Sequence, residues 1–178
     1  MQKECECIMF GKLKNLFSQP GITIASPVSG MVVPLTEVPD PTFAQGILGP
    51  GAAVQPSEGR IVAPANGTVD MMFDTGHAVS MTTSEGAELL IHVGIDTVNL
   101  KGQHYTAKCK SGDTVRKGDT LIEFDIDAIR EAGYEVVTPV IVCNPDAFCL
   151  GQDRRCRKRS GRRRSADARK EVKGDISP

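Results

Sequence analysis

The chain has no tryptophan, only two tyrosines and 4% aromatic residues. No aromatic residue is interleaved with the basic residues of positions 149–178, so a stacking surface for nucleic acid is not expected there. Its six cysteines, Cys5, Cys7, Cys109, Cys143, Cys149 and Cys156, form no C-x-x-C pair. Zinc ribbons and redox motifs are therefore unsupported, and free thiols are expected rather than a disulfide framework. No apolar run approaches the length that crosses a bilayer. No leader of basic, apolar and small residues opens the sequence, so a cytoplasmic protein is expected. Neither a P-loop nor a nicotinamide fingerprint occurs.

Turn formers are plentiful, with 18 Gly and 11 Pro in 178 residues. Between residues 22 and 148, short apolar stretches alternate with turn signals at 27–30, 39–41, 49–51, 57–59, 66–67, 84–86 and 111–112. That rhythm predicts an all-β body, a sandwich or barrel of antiparallel strands. One helix is predicted over 125–132, ended by Gly133. SPVSGMVV at 26–33 is echoed by APANGTVD at 63–70, which suggests two related halves.

Charge divides the chain unequally. Residues 1–148 carry 10 basic and 18 acidic residues, and residues 149–178 carry 11 basic and 4 acidic. Three regions follow: an N-terminal segment 1–21, a body 22–148 and a basic tail 149–178. The tail has too few apolar side chains to offset the entropy of ordering, so disorder is expected, and no nucleic-acid partner. In the N-terminal segment Met9, Phe10, Leu13 and Phe17 recur at helical spacing. Two readings fit: a helix packed on its own body, slightly favoured by pattern, and a helix lying on a membrane surface.

Three histidines are present, His77, His92 and His104. His92 closes the apolar stretch ELLIH, and a histidine is costly to bury without a partner. A four-residue loop over 83–86 makes opposed residue numbers sum to 169, so that His77 faces His92 across an antiparallel pair. Thr75, two residues before His77, then points the same way. Gly94 allows a bend that returns Asp96 toward the ring. His104 reads as a surface residue. Two opposed imidazoles suit zinc binding with Glu88 or Asp96, general acid/base work, or phosphoryl relay in which one ring is the nucleophile and the other a hydrogen-bond donor. A relay would need a donor other than bound ATP. The absence of lysine from 68–90 argues against a biotinyl or lipoyl carrier, and the absence of an H-x-H pair against a zinc peptidase.

These residues sit in a longer likeness. VPDPTFA, H-x-G-I-D-T-V and RKGD, within a stretch running from SPVSGMVV to TPVIVCN, resemble the glucose-type enzyme IIA of the bacterial phosphoenolpyruvate-dependent sugar phosphotransferase system. The likeness covers roughly residues 22–145 and fades after Phe148. It implies an antiparallel β-sandwich, barrel-like, of two related halves (a duplicated hybrid motif). It implies that His92 accepts a phosphoryl group from the phosphocarrier protein HPr and passes it to the IIB domain of a membrane sugar permease, assisted by His77. Thr75 and Asp96 match family positions near the pair. Asp40, Phe43, Leu48, Phe73, Leu90 and Val98 match the rim on which partners dock. No cofactor is implied, and zinc at His77 and His92 would be adventitious or regulatory. The alternatives are a zinc-binding protein and a non-catalytic docking protein on the same fold.

The membrane reading of residues 9–18 has a direct test. Phe10, Leu13 and Phe17 supply an apolar stripe, and Lys12 and Lys14 an attraction for anionic lipid. Weak co-sedimentation with anionic vesicles is expected, reduced in the Lys12→Glu/Lys14→Glu double variant. Equal sedimentation of both proteins would remove the electrostatic part of the reading.

Overall fold

In the computed structural model, residues 22–148 are described. The helix expected near 9–18 and the basic tail 149–178 lie outside the described residues. The alternation of short apolar stretches and turns becomes strands β1 (Gly30–Val33), β2 (Gly51–Pro56), β3 (Arg60–Val62), β4 (Gly67–Met72) and β5 (Ala78–Thr83). After them come β6 (Glu88–His92), β7 (Tyr105–Ala107), β8 (Thr114–Val115), β9 (Thr120–Phe124) and β10 (Thr138–Val142). One sheet has the order β1-β2-β10-β6-β5-β4-β8 and the other β3-β9-β7, and the strand pairs within them are antiparallel. The expected all-β fold is what forms. No described helix is long and apolar enough to cross a membrane.

The predicted helix is present as α2 (Ile126–Glu131), with the Asp125 side chain accepting from the Ala128 N–H as an N-cap. A second helix was not anticipated. The proline-rich stretch read as a turn contains α1 (Pro41–Ala44), capped by Asp40, whose carboxylate accepts from the N–H groups of Thr42 and Phe43. Proline in the first turn loses no helical hydrogen bond, because that N–H would be unpaired anyway.

The echo between 26–33 and 63–70 is structural. Gly30 opens β1 and Gly67 opens β4, and each lies where a partner strand passes close. An added Cβ would come within 2.0 Å of the Gln55 carbonyl oxygen at Gly30 and 2.2 Å of the Thr82 oxygen at Gly67.

Two cores result. Ile61, Val69, Val79, Met81, Leu89, Ile91, Leu121 and Ile122 belong to the larger one. Val33, Val38, Phe43, Ala53, Ile95, Val137 and Ile141 form the smaller, with Leu90 packed against it. Strand alternation explains the division: Leu89 and Ile91 face the larger core, so Leu90 and His92 face the other way.

The predicted register is off by one. Ala78, and not His77, pairs with His92, and Val79 pairs with Ile91. The cause is the loop. Only Ser84, Glu85 and Gly86 lie between Thr83 and Ala87, which are joined by a bond from the Thr83 N–H to the Ala87 oxygen at 2.8 Å. Gly86, at φ 86°, closes the loop in a left-handed conformation that a three-residue hairpin needs.

Candidate functional site

His92 ends β6, and its ring is fixed from one side. Its Nδ1 lies 2.7 Å from the carbonyl oxygen of Gly94. A carbonyl can only accept, so Nδ1 carries the proton and Nε2 keeps its lone pair. Gly94 reaches this position at φ 80°. A Cβ there would sit 2.6 Å from Thr97 Cγ2 and 2.7 Å from the Glu135 oxygen, so glycine is required for close approach as well as for conformation.

His77 lies one residue before β5, after Gly76 at φ 66°. Strand alternation does not bind it there, and its ring turns to the partner that the register denies it. The ring centroids of His77 and His92 are 4.9 Å apart at an interplanar angle of 75°. Backbone also joins the two segments, since the Val93 N–H donates to the His77 oxygen at 2.7 Å. The small side chain opposite His92, Ala78, leaves this space open.

Of the other expected site residues, Thr75 holds the His77 ring, with its Oγ1 hydrogen-bonded to Nδ1. Phe43, delivered by α1, places its ring 5.3 Å from that of His92, and Phe73 lies 5.6 Å from that of His77. The four rings thus form a continuous row. Asp40 places Phe43 by capping α1. Asp96 is exposed, at φ 58°. It makes no hydrogen bond to His92, but its charge is felt there. Leu90 shares the face of His92, while Leu48 and Val98 are exposed and lie outside the row of rings. Glu88, weighed as a metal ligand, stands four residues down β6 from His92, about 13 Å away along the strand. Among the described residues no three His, Cys, Asp or Glu side chains converge as metal ligands.

Sequence reading missed the support beneath the pair. The Val93 oxygen accepts from Thr97 Oγ1 at 2.8 Å and from the Tyr105 hydroxyl at 3.0 Å. Tyr105 also packs under Gly76, where an added Cβ would meet its Cβ at 3.2 Å. One residue therefore braces both histidine-bearing turns. Nothing local in the sequence signals it, because Tyr105 is 12 residues from Val93 and on another sheet. Ile47, beside Leu48 in the same Gly/Pro-rich loop, is 67% exposed.

Burial disfavours the charged form of both rings. Burial first, and then the charge of His92, lowers His77 from 6.5 to about 4. Burial also lowers His92, opposed by the Gly94 hydrogen bond and by the charges of Asp40 and Asp96.

The model of the phosphoenolpyruvate-dependent sugar phosphotransferase system EIIA 1 family matches residues 22–148. The chain belongs to this family. It is 46% identical over 138 residues to the glucose-specific EIIA component of Oceanobacillus iheyensis, covering 75% of this chain and 84% of that one. It is 50% identical over 125 residues to the beta-glucoside-specific EIIBCA component of Bacillus subtilis, covering 70% of this chain but spanning 20% of that longer protein. The solved glucose permease IIA from Mycoplasma capricolum matches with a TM-score of 0.66 at 30% identity, over 68% of this chain and 79% of that one. Membership makes the chain a component of a sugar phosphotransferase system.

Two outcomes follow from the geometry. A folded-state pKa below the unfolded value means that neutral His77 stabilises the fold above pH 6.5, and that this is lost as pH falls from 6.5 toward about 4. The loss amounts to about 3 kcal/mol when complete. Thermal melts should therefore fall more steeply over that window in the wild type than in His77→Gln, and equal slopes would contradict the assignment. Removing the Tyr105 hydroxyl leaves Thr97 alone on the Val93 oxygen. Tyr105→Phe should cost about 1 kcal/mol in urea unfolding, and an unchanged midpoint would show that the bond carries no weight.

Proposed function

We propose that the chain is a phosphoryl carrier that accepts its phosphoryl group on His92 Nε2 from the phosphohistidine of HPr and gives it to the IIB domain of a glucose-class sugar permease. The observation that carries this reading is the Gly94 carbonyl on His92 Nδ1, which leaves Nε2 unprotonated beside a second neutral imidazole. As the Nε2–P bond forms, the P–N bond of the donor breaks and its electron pair returns to the donor's imidazole. Onward transfer repeats the exchange, with Nε2 as the leaving atom.

Each neighbour has a role. With Thr75 donating to Nδ1, His77 carries its proton on Nε2 and donates to the phosphoryl oxygens as charge builds there. Because burial keeps it neutral, it does so without holding the dianion as a salt partner. Asp40 and Asp96 keep His92 more basic than burial alone would, which favours attack. Their negative charge also repels the bound phosphoryl group, which favours its release. Phe43 and Phe73 close the row of rings against water, and Leu48, Val98 and Leu90 offer apolar surface to the partners. The transfer as proposed uses no metal and takes place on the cytoplasmic side of the membrane.

Incubation with phosphoenolpyruvate, enzyme I and HPr, followed by mapping of acid-labile phosphate, tests the reading. His92→Ala should abolish acceptance. His77→Gln keeps a donor, so acceptance should persist while transfer to IIB slows by about 10²-fold. Stable phosphate on His77 in the His92→Ala protein would overturn the assignment.

A further inference from the structure

The internal echo extends to hydrogen bonding. A shift of 37 positions lays Gly30 on Gly67 and Pro27 on Pro64. The bond from the Ser57 N–H to the Ser29 oxygen, 2.8 Å, recurs as the bond from the Ser84 N–H to the Asn66 oxygen, 2.8 Å. Two bonds cross reciprocally between the copies. The Val62 N–H donates to the Pro27 oxygen at 2.7 Å, and the Ala25 N–H to the Pro64 oxygen at 3.2 Å. Strand order obeys the same symmetry: β1-β2-β10 from one end of the large sheet matches β4-β5-β6, which run inward from β8 at the other.

The symmetry then breaks. β8 pairs with β4, and β9 pairs with β3, so the second copy is covered on its outer edge. The turn between them is stitched to Ala63, whose N–H donates to the Asp119 oxygen at 2.8 Å and whose oxygen accepts from the Gly118 N–H at 2.9 Å. Among the described residues β1 has a partner on one side only. Exposure records the difference: Val69 is 0% exposed and its equivalent Val32 is 62% exposed. Ile61 is fully buried, and its equivalent Ile24 only partly. Beside this edge runs a groove of about 340 Å³ lined by Val28, Gly30, Val32, Glu58, Arg60 and Val62, among others.

We propose that the free edge of β1, with the extended segment before it, is an acceptor site for a β-hairpin of another polypeptide that repeats the pattern of residues 111–124, Gly-Asp-Thr-Val followed by Gly-Asp-Thr-Leu-Ile. The second copy shows which chemistry fits: backbone ladders on β4 and β3, with Val115 and Leu121 buried against them. The groove carries one charge of each sign, Glu58 and Arg60, and the turn of such a hairpin brings a lysine and an aspartate together as Lys117 and Asp119 do. An edge strand adds an extended partner through its main chain, and alternate side chains give specificity. The site is separate from the histidines and independent of the phosphoryl reading.

The test is titration of a labelled synthetic peptide of residues 111–124 onto the full chain, followed by fluorescence anisotropy. Saturable one-to-one binding is expected. Val32→Lys should weaken it at least about tenfold, since it puts a charge against the apolar strand it must pack on. Val32 and Met31 are both more than half exposed, so Val32→Lys and Met31→Lys should keep the wild-type melting profile, and Met31→Lys, on the opposite face of β1 from the groove, should leave binding nearly unchanged. A peptide carrying Val115→Lys and Leu121→Lys should bind no better than a scrambled one. Absence of saturable binding, or binding unaltered by Val32→Lys, overturns the proposal. So does a concentration-dependent dimer that Val32→Lys abolishes and the peptide does not displace, because that outcome assigns the edge to a second copy of the chain.

Discussion

The hydrogen bond from His92 Nδ1 to the Gly94 carbonyl decides what the rest of the site can be. It selects the tautomer, and so the nitrogen that keeps its lone pair. It also needs the Gly94 carbonyl held still, and the surrounding structure does this from several directions. The Gly94 N–H is tied to the Val137 oxygen at 3.2 Å, the preceding carbonyl to Thr97 and Tyr105, and the Val93 N–H to the His77 oxygen. Disturbing any of these moves one histidine relative to the other. No buried side-chain nitrogen or oxygen among the described residues lacks a hydrogen-bond partner, and Nδ1 of each histidine in the pair is hydrogen-bonded.

Desolvation and charge act against each other at this pair. A ring that is too dry is a weak base, and a ring too close to carboxylates is protonated and has no lone pair. His77 receives burial and repulsion from a protonated His92, both of which lower its pKa and favour its neutral form. His92 receives burial tempered by Gly94, Asp40 and Asp96, and keeps more basicity. Unequal environments thus give two chemically identical side chains different basicities, and the proposed division of roles rests on that difference.

Much of this was legible in the sequence because it depends on local rules. Glycine and proline marked the strand ends, Asp125 and Gly133 bracketed α2, and the echo of small-Pro-x-x-Gly pointed to the repeated halves. What was misread depended on single residues acting at a distance or against type. One left-handed glycine, Gly86, shortened a loop by a residue and shifted the whole β5–β6 register. The histidines were still matched correctly, because the turn at Gly76 releases His77 from strand alternation. Asp40 was read only as a docking residue, and its capping of α1 was invisible while the proline-rich stretch passed for a turn. Tyr105 reaches the site from the other sheet, and no spacing rule announces such a contact.

The repeat also shows how a symmetric scaffold holds an asymmetric site. The β2–β10 pair corresponds to the β5–β6 pair, and the ladder places Ile141 opposite Gly51 where the other half has His92 opposite Ala78. The bond from the Val93 N–H to the His77 oxygen, 2.7 Å, is matched by one from the Val142 N–H to the Pro50 oxygen, 2.8 Å. Pro50 and Ile141 therefore stand where His77 and His92 stand. Ile141 is fully buried, in the smaller core that also holds Phe43, and so it supports one of the rings that covers His92. The backbone geometry that brings two side chains together at this crossing belongs to both halves. In one half it packs a core, and in the other, with two imidazoles and a glycine carbonyl in place, the same crossing sets an unprotonated ring nitrogen beside a second imidazole.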